Sequence, residues 1–290
     1  MRFTRFSFIV AAICITAFSS LAVLAQKAEL TDVIAKHKAS VGTPAELAAV
    51  KNQLIVSDAQ FTFKGSTVVV AGKGLILSTG DRSLWAMNFT SNDYPQDRFG
   101  FDGKSVKVGK ATPNAKSLIG DFLENNRVIL KDGLLGGTLS ASWPLFNSNL
   151  RGAKIRPDGT KTINGKETIV LTYEPKGSSD LSIKLFFDAD TSQHVRTEYL
   201  LLRAAGQGSN VDNSASQSGT IFRLTEEFSD YAKMGDLLLP SLYKITYSRT
   251  TTAGTATSQT TNRDAEWTFK VTDIGFNREL DAGSFSIDQK

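Results

Sequence analysis

Apolar and polar residues alternate with a period of two in one segment after another between residues 59 and 276. This alternation is typical of β-strands that bury one face. In "DLSIKLFFD", for example, Leu181, Ile183 and Leu185 share one face, while Ser182 and Lys184 lie on the other. Gly, Asp and Asn residues separate the segments, so the pattern predicts about ten or eleven strands in meander order.

Helical periodicity is confined to the start and the middle of the chain. Apolar residues recur at helical spacing over residues 30–41, and "TPAE" at residues 43–46 has the form of a capping box. The capping box predicts a second helix that continues through about Gln53. Pro113 can start a third helix, in the middle of the chain.

A sheet of this many strands curls instead of lying flat, and a wide curled sheet can keep an interior cavity. We therefore expect an α+β fold, in which a long curved antiparallel sheet forms a half-open β-barrel covered by helices. We expect a single domain over residues 26–290, with a helical or lid segment at about 113–150.

Residues 1–25 have the features of a cleaved export signal. Arg2 and Arg5 precede a short apolar run, and "SSLAVLA" ends at Ala25 with a cleavage-site pattern. This predicts a periplasmic protein in a cell with two membranes, and an extracellular one in a cell with a single membrane. The sole cysteine, Cys14, lies within the signal, so the roughly 260 residues that follow must be stabilised by a hydrophobic core.

The sequence after the export signal contains few candidates for catalytic or metal-binding residues. Without Arg2 and Arg5, 31 basic residues face 29 acidic ones and no polybasic block occurs, which gives no reason to expect nucleic acid as a partner. His37 and His194 are too few for a transition-metal site, and Asp188 in "DADT" is predicted to form a turn, not to bind calcium. No nucleophile elbow, phosphate loop or dinucleotide fingerprint occurs. We expect no catalytic residue, metal or cofactor.

Apolar residues are the features that remain to be explained. Residues 128–146 are too apolar for a surface loop, and their three glycines disfavour a rigid helix, which favours a movable lid over a cavity mouth. Core packing is the alternative for each residue, and the pattern leaves open whether the cavity is filled by the protein's own side chains. The residues predicted to line the cavity and lid are Trp85, Met87, Phe89, Phe101, Phe122, Leu134, Leu135, Trp143, Phe146, Leu185, Phe187, Trp267 and Phe269.

Four motifs, in this order, resemble the LolA/LolB-like family of outer-membrane lipoprotein-sorting carriers. They are "FDGKSVKV" at 101–108, "KLFFDADTSQHVRTE" at 184–198, "FSDYAKMGDLLLPSLYKI" at 228–245 and "DIGFNRELDAGSFSI" at 273–287. The resemblance implies a half-open barrel with a helical lid over an apolar cavity that takes up acyl chains. In the carriers an Arg-Pro pair on an early strand latches the lid, whereas no proline follows Arg82 here. This departure favours a relative that binds a different lipid, or senses one.

We therefore expect an exported, soluble and monomeric carrier or binding protein for a ligand with an acyl chain, either a lipid or a lipoprotein. The resemblance implies a part in outer membrane biogenesis, with envelope membrane proteins that load or unload the carrier. The alternative is a non-enzymatic sensor or protein-interaction module of the same fold in the cell envelope.

Overall fold

The computed structural model describes residues 29–146, 151–177, 180–204, 218–253, 260–281 and 283–287. The predicted export signal lies outside these ranges. Helix α1 covers residues 29–41 and helix α2 covers Pro44–Ala49. The predicted capping box is confirmed, because the Glu46 amide donates to Thr43 Oγ1 at 3.2 Å and the Thr43 amide donates to Glu46 Oε2 at 2.7 Å.

Twelve strands make one sheet in the described part of the chain. They are β1 (Asn52–Phe63), β2 (Val70–Thr79), β3 (Ser83–Phe89), β4 (Gln96–Phe101), β5 (Val106–Val108), β6 (Lys154–Ile163), β7 (Lys166–Glu174), β8 (Leu181–Asp188), β9 (His194–Arg203), β10 (Ser218–Met234), β11 (Leu237–Ala253) and β12 (Thr260–Phe276). Between β5 and β6 lie helix α3 (Leu118–Asn125), helix α4 (Val128–Lys131) and a 3-10 turn (Gly137–Leu139).

The strands are all antiparallel to their neighbours, in the order β5-β4-β3-β2-β1-β12-β11-β10-β9-β8-β7-β6. The chain builds one half of the sheet from β1 outward to β5 and then builds the other half from β6 inward. The last strand, β12, closes the sheet against β1, with Phe61 opposite Trp267. The expected long antiparallel sheet with helices is confirmed, with more strands than the ten or eleven counted in the sequence.

The sheet is strongly curved. Trp85 on β3 and Tyr243 on β11 have ring centroids 5.7 Å apart, although three strands lie between β3 and β11. In a flat sheet those two strands would be about 19 Å apart, at about 4.8 Å per strand. The side chains meet because the sheet bends around them, and its concave side holds the main hydrophobic core.

Several local predictions were wrong. Helix α2 ends at Ala49 instead of Gln53, because residues 52–53 pair in β1. Pro113 starts no helix; α3 begins at Leu118, where the Ser117 hydroxyl accepts a hydrogen bond from the Gly120 amide.

The two turn signals near β6 have different outcomes. "DGT" at residues 158–160 is an irregularity within β6, since the register with β7 shifts between Pro157 and Thr160. The β6–β7 turn lies at "NGK", where Asn164 and Gly165 both have positive φ, as tight hairpin turns require. The predicted polar tips at about 204–219 and 250–262 are shorter than expected, because β10, β11 and β12 extend into them; the rest falls outside the described ranges.

The convex face is partly covered by the C-terminal segment, in which Phe285 is buried and lies under the Arg82 guanidinium at 4.6 Å. Of the helices in the described ranges, none has the length and apolar character needed to cross a membrane.

Candidate functional site: the concave side and its plug

The middle of the chain crosses the concave side of the sheet. Strand β5 is one edge of the sheet and β6 is the other, so the chain between them must cross from edge to edge. Residues 118–146, called the plug below, lie in this crossing. The plug contacts β4 and β5 through α3 and α4, and β9 and β11 through its 3-10 turn.

The start of the plug is tied to the sheet by a buried carboxyl group. Asp97 on β4 accepts hydrogen bonds from the hydroxyls of Ser117 and of Tyr94, the latter at 2.9 Å. The Tyr94 oxygen in turn accepts from the indole N–H of Trp267 at 3.0 Å. Burial raises the pKa of Asp97 to about 6, although these hydrogen bonds oppose the shift. The chain of bonds links α3, β4 and β12.

The centre of the plug is held by Glu226, which points inward from β10. Its Oε1 accepts from the Gly136 amide and the Tyr243 hydroxyl, each at 2.6 Å, and its Oε2 accepts from the Tyr199 hydroxyl at 2.7 Å. Gly136 has φ +85°, and a Cβ there would lie 2.6 Å from the ring of Trp85. Only glycine therefore lets the plug backbone approach the wall this closely.

Glu226 is fully buried, and burial raises its pKa to about 7 against the three hydrogen bonds. Burial also raises the pKa values of Tyr199 and Tyr243 well above their ordinary range. Neutral pH is therefore close to the pKa of the Glu226 carboxyl group. Three hydrogen-bond donors hold this group within an apolar wall.

The end of the plug contacts both histidines. Trp143 Nε1 donates to His37 Nε2 at 3.3 Å, and His37 Nδ1 lies 3.2 Å from the Ser192 carbonyl oxygen. These partners require a neutral His37 with its proton on Nδ1. The ring of His194 stacks on Trp143 at 4.7 Å and its Nε2 bonds Thr197 Oγ1 at 2.9 Å.

Burial lowers the pKa of His37 to about 4 and that of His194 well below its ordinary value. Both imidazoles are therefore uncharged at neutral pH. His37 comes from α1 and is fully buried, so helix α1 closes one end of the concave side against the plug.

The structure brings all but one of the predicted lining residues together as two facing groups. The wall supplies Trp85, Met87, Phe89, Leu185, Phe187, Trp267 and Phe269, and the plug supplies Phe122, Leu134, Leu135, Trp143 and Phe146. The exception is Phe101 on β4, which is buried outside this core cluster with the Arg151 guanidinium 5.9 Å from its ring. All except Phe146 are at most 9% exposed. Wall and plug are packed against each other, so the concave side is filled by the protein's own side chains. Contact with a ligand stays a prediction for each of these residues.

Sequence reasoning missed the polar residues that tie the plug to the wall. Glu226 shares its parity on β10 with Leu224 and Phe228, both buried. A carboxylate at an inward-facing position between apolar residues was the sequence signal that could have identified Glu226 as a buried hydrogen-bond acceptor. Asp188, by contrast, forms the predicted turn, since its Oδ1 accepts from the amides of Asp190 and Thr191 at 3.0 and 2.8 Å.

The end of the concave side opposite α1 has an opening beside the plug. There a cleft of about 370 Å³ separates α3 from β9, β10 and β11. Its floor includes Phe122 on the plug and Tyr247 on the wall, with ring centroids 5.9 Å apart. This opening is called the α3 cleft below.

No protein-family model and no curated protein sequence matches the chain significantly. Among solved structures, a domain assigned as an outer membrane lipoprotein-sorting protein of Vibrio parahaemolyticus aligns over 88% of this chain and 95% of that one, with 12% identity and a TM-score of 0.43. A DUF1329 family protein of Desulfovibrio piger aligns over 88% and 95%, with 8% identity and a TM-score of 0.40. Lipoprotein LppX of Mycobacterium tuberculosis aligns over 58% and 87%, with 14% identity and a TM-score of 0.23. The fold assignment rests on the strand order and register described above.

Proposed function

We propose that this protein is an exported, non-catalytic carrier or binding protein for a ligand with an acyl chain, which lies against the concave wall when the plug moves aside. The observation that carries the proposal is the character of the plug. Residues 128–146 cover the aromatic wall without forming a continuous helix. Only α4 and the 3-10 turn have regular secondary structure in this segment. Gly133, Gly136 and Gly137 have positive φ there, so successive turns, and not one continuous helix, hold the segment.

The energies of plug and ligand are comparable. Burying one large apolar side chain is worth about 1.5–3 kcal/mol, so the seven such side chains buried in residues 128–146 together contribute roughly 10–20 kcal/mol. They are Ile129, Leu130, Leu134, Leu135, Leu139, Trp143 and Leu145. A sixteen-carbon chain supplies up to roughly 12 kcal/mol at about 0.8 kcal/mol per methylene. Replacing the plug by an acyl chain against the wall would therefore change the free energy little, which permits both uptake and release of the ligand.

Hydrogen exchange with and without ligand tests the proposal. A monomeric acyl ligand such as palmitate should increase amide exchange in residues 128–146 while the paired amides of β10 and β11 keep their protection. Native mass spectrometry of protein purified from its own envelope should also show a bound lipid. Unchanged plug exchange, together with protein that carries no lipid and takes up no acyl ligand, would refute the proposal.

A second candidate, a sensor or protein-interaction module of the same fold, is favoured by one specific observation: the concave side is filled, and Glu226 and His37 hold the plug in place. In that case the plug stays protected in the presence of any lipid. The same exchange experiment therefore separates the two functions.

A further inference from the structure

The wall of the α3 cleft and its rim carry arginines on the inward face of neighbouring strands. Arg203 on β9 and Arg249 on β11 line the cleft, and Arg263 on β12 lies directly opposite Arg249. Each shares its face with a buried residue two positions away on the same strand; these are Leu201, Tyr247 and Ala265. The three guanidinium groups therefore belong to the concave side at its open end.

The arrangement is unfavourable without a counterion. Like charges directly opposite each other on neighbouring strands are destabilising, and Arg249 and Arg263 form such a pair. Neither they nor Arg203 form an ion pair within the described ranges. Asp121 on α3 is the carboxylate that lines the cleft, so it faces an excess of positive charge.

Arg249 is also held in position. Its guanidinium lies over the ring of Phe222 at 5.4 Å, and the side chain is half-buried. Burial raises the pKa of Tyr247 on the cleft floor; the positive charges of Arg249 and Arg263 oppose this shift, and the negative charge of Asp121 adds to it. An oriented, partly desolvated guanidinium binds an oxyanion more strongly than a mobile one.

The cleft also has an apolar side, next to the polar side chains of Asn125 and Asn126. This side is formed by Leu118, Phe122, Leu201, Phe222 and Tyr247. The cleft volume of about 370 Å³ lies within the range of small-ligand sites. Phe122 belongs to the plug, so a chain entering here would lead toward the concave wall. The cleft thus combines a positive rim with an apolar path.

We propose that the α3 cleft is the headgroup site for an anionic amphiphile, with Arg203 and Arg249 binding its phosphate or carboxylate and its alkyl chain lying on the apolar floor. This inference rests on the proposed function for the direction of the chain. It adds the class of ligand, which is an acyl compound with an anionic headgroup.

The test is calorimetric titration of the full chain with dodecyl phosphate, dodecyl maltoside and inorganic phosphate, each as monomers. Dodecyl phosphate should bind about tenfold or more tightly than either of the others, as expected for a charge-assisted hydrogen bond combined with an alkyl chain. Arg249→Gln should weaken dodecyl phosphate by about tenfold. The matched control is Arg223→Gln, which removes the same charge from the exposed convex face of β10 and should leave affinity unchanged.

The outcomes separate the two proposals. Equal binding of dodecyl phosphate and dodecyl maltoside, or equal effects of the two substitutions, overturns the headgroup site and leaves the carrier function standing. Inorganic phosphate binding as tightly as dodecyl phosphate also overturns it, in favour of a plain anion site. Failure of both dodecyl ligands to bind overturns the headgroup site, and the exchange and mass-spectrometry experiments above then decide the carrier function separately. Thermal melting controls for folding, and Arg249→Gln should change Tm little, because it removes both the repulsion with Arg263 and the contact with the Phe222 ring.

Discussion

Replacement of Glu226 by Gln tests the central tie between plug and wall. In the folded protein burial raises the pKa of Glu226 from an ordinary value near 4.5 to about 7. Between these two values the folded state holds a proton that the unfolded state has released. The stability that this group contributes is therefore fully present below about pH 4.5 and is lost as the pH rises through about 7.

The size of the effect follows from the two pKa values. A pKa displaced from 4.5 to about 7 corresponds to roughly 3 kcal/mol of unfolding free energy. The Gln variant lacks this titration, while its amide oxygen can still accept from the Gly136 amide and the Tyr243 hydroxyl. Between about pH 4.5 and about pH 8, the unfolding free energy of the Gln variant should therefore rise by roughly 3 kcal/mol relative to that of the wild type.

Urea unfolding followed by tryptophan fluorescence at both pH values measures this difference. Other titrating groups, such as His37 and Asp97, are common to both proteins and cancel in the comparison. Glu226→Leu is the second variant: it leaves three buried donors without an acceptor, at about 1–3 kcal/mol each, and should be severely destabilised at both pH values. A difference between Gln variant and wild type that is independent of pH, or that moves the opposite way, would refute the reasoning.

Three further predictions concern the plug. The pKa of His37 is lowered to about 4, so its contribution to stability is present above about pH 6.5 and should fall by roughly 3 kcal/mol as the pH drops toward 4; urea midpoints of His37→Gln should lose part of this acid dependence. Gly136→Ala should cost about 2–3 kcal/mol more than Gly165→Ala, because both have positive φ but only the first places its Cβ against an aromatic ring. Trp143→Ala should cost about 3–5 kcal/mol, whereas Leu202→Ala, at a side chain 60% exposed, should cost under about 0.5 kcal/mol.

Each of these has an outcome that contradicts it. A His37 variant with the full acid dependence of the wild type would show that burial of this imidazole does not govern stability. Equal melting temperatures for the two alanine-for-glycine variants would show that the plug backbone does not contact the wall. A Trp143→Ala variant as stable as the wild type would mean that the end of the plug does not pack in solution.

Local patterns in the sequence determined most of the strands and their turns. The β10–β11 hairpin around Gly235 follows from alternation on both sides of a glycine turn, and Leu237 and Leu239 are buried as that alternation requires. The capping box at Thr43 and the β4–β5 hairpin follow in the same way. These features depend on residues a few positions apart, which a sequence shows directly.

Only the tertiary structure decided what the middle of the chain does. The composition of residues 128–146 indicated contact with an apolar surface, but a lid over the mouth and a plug against the wall have the same composition. The choice depends on the pairing of β1 with β12, which places β5 and β6 at opposite edges so that the chain must pass between them, and on the packing that holds this segment on the concave side. Glu226, the acceptor for Gly136, was missed for the same reason. Its partners on β11, β9 and the plug lie 17, 27 and 90 positions away, and contacts at such separations leave no periodic trace in a sequence.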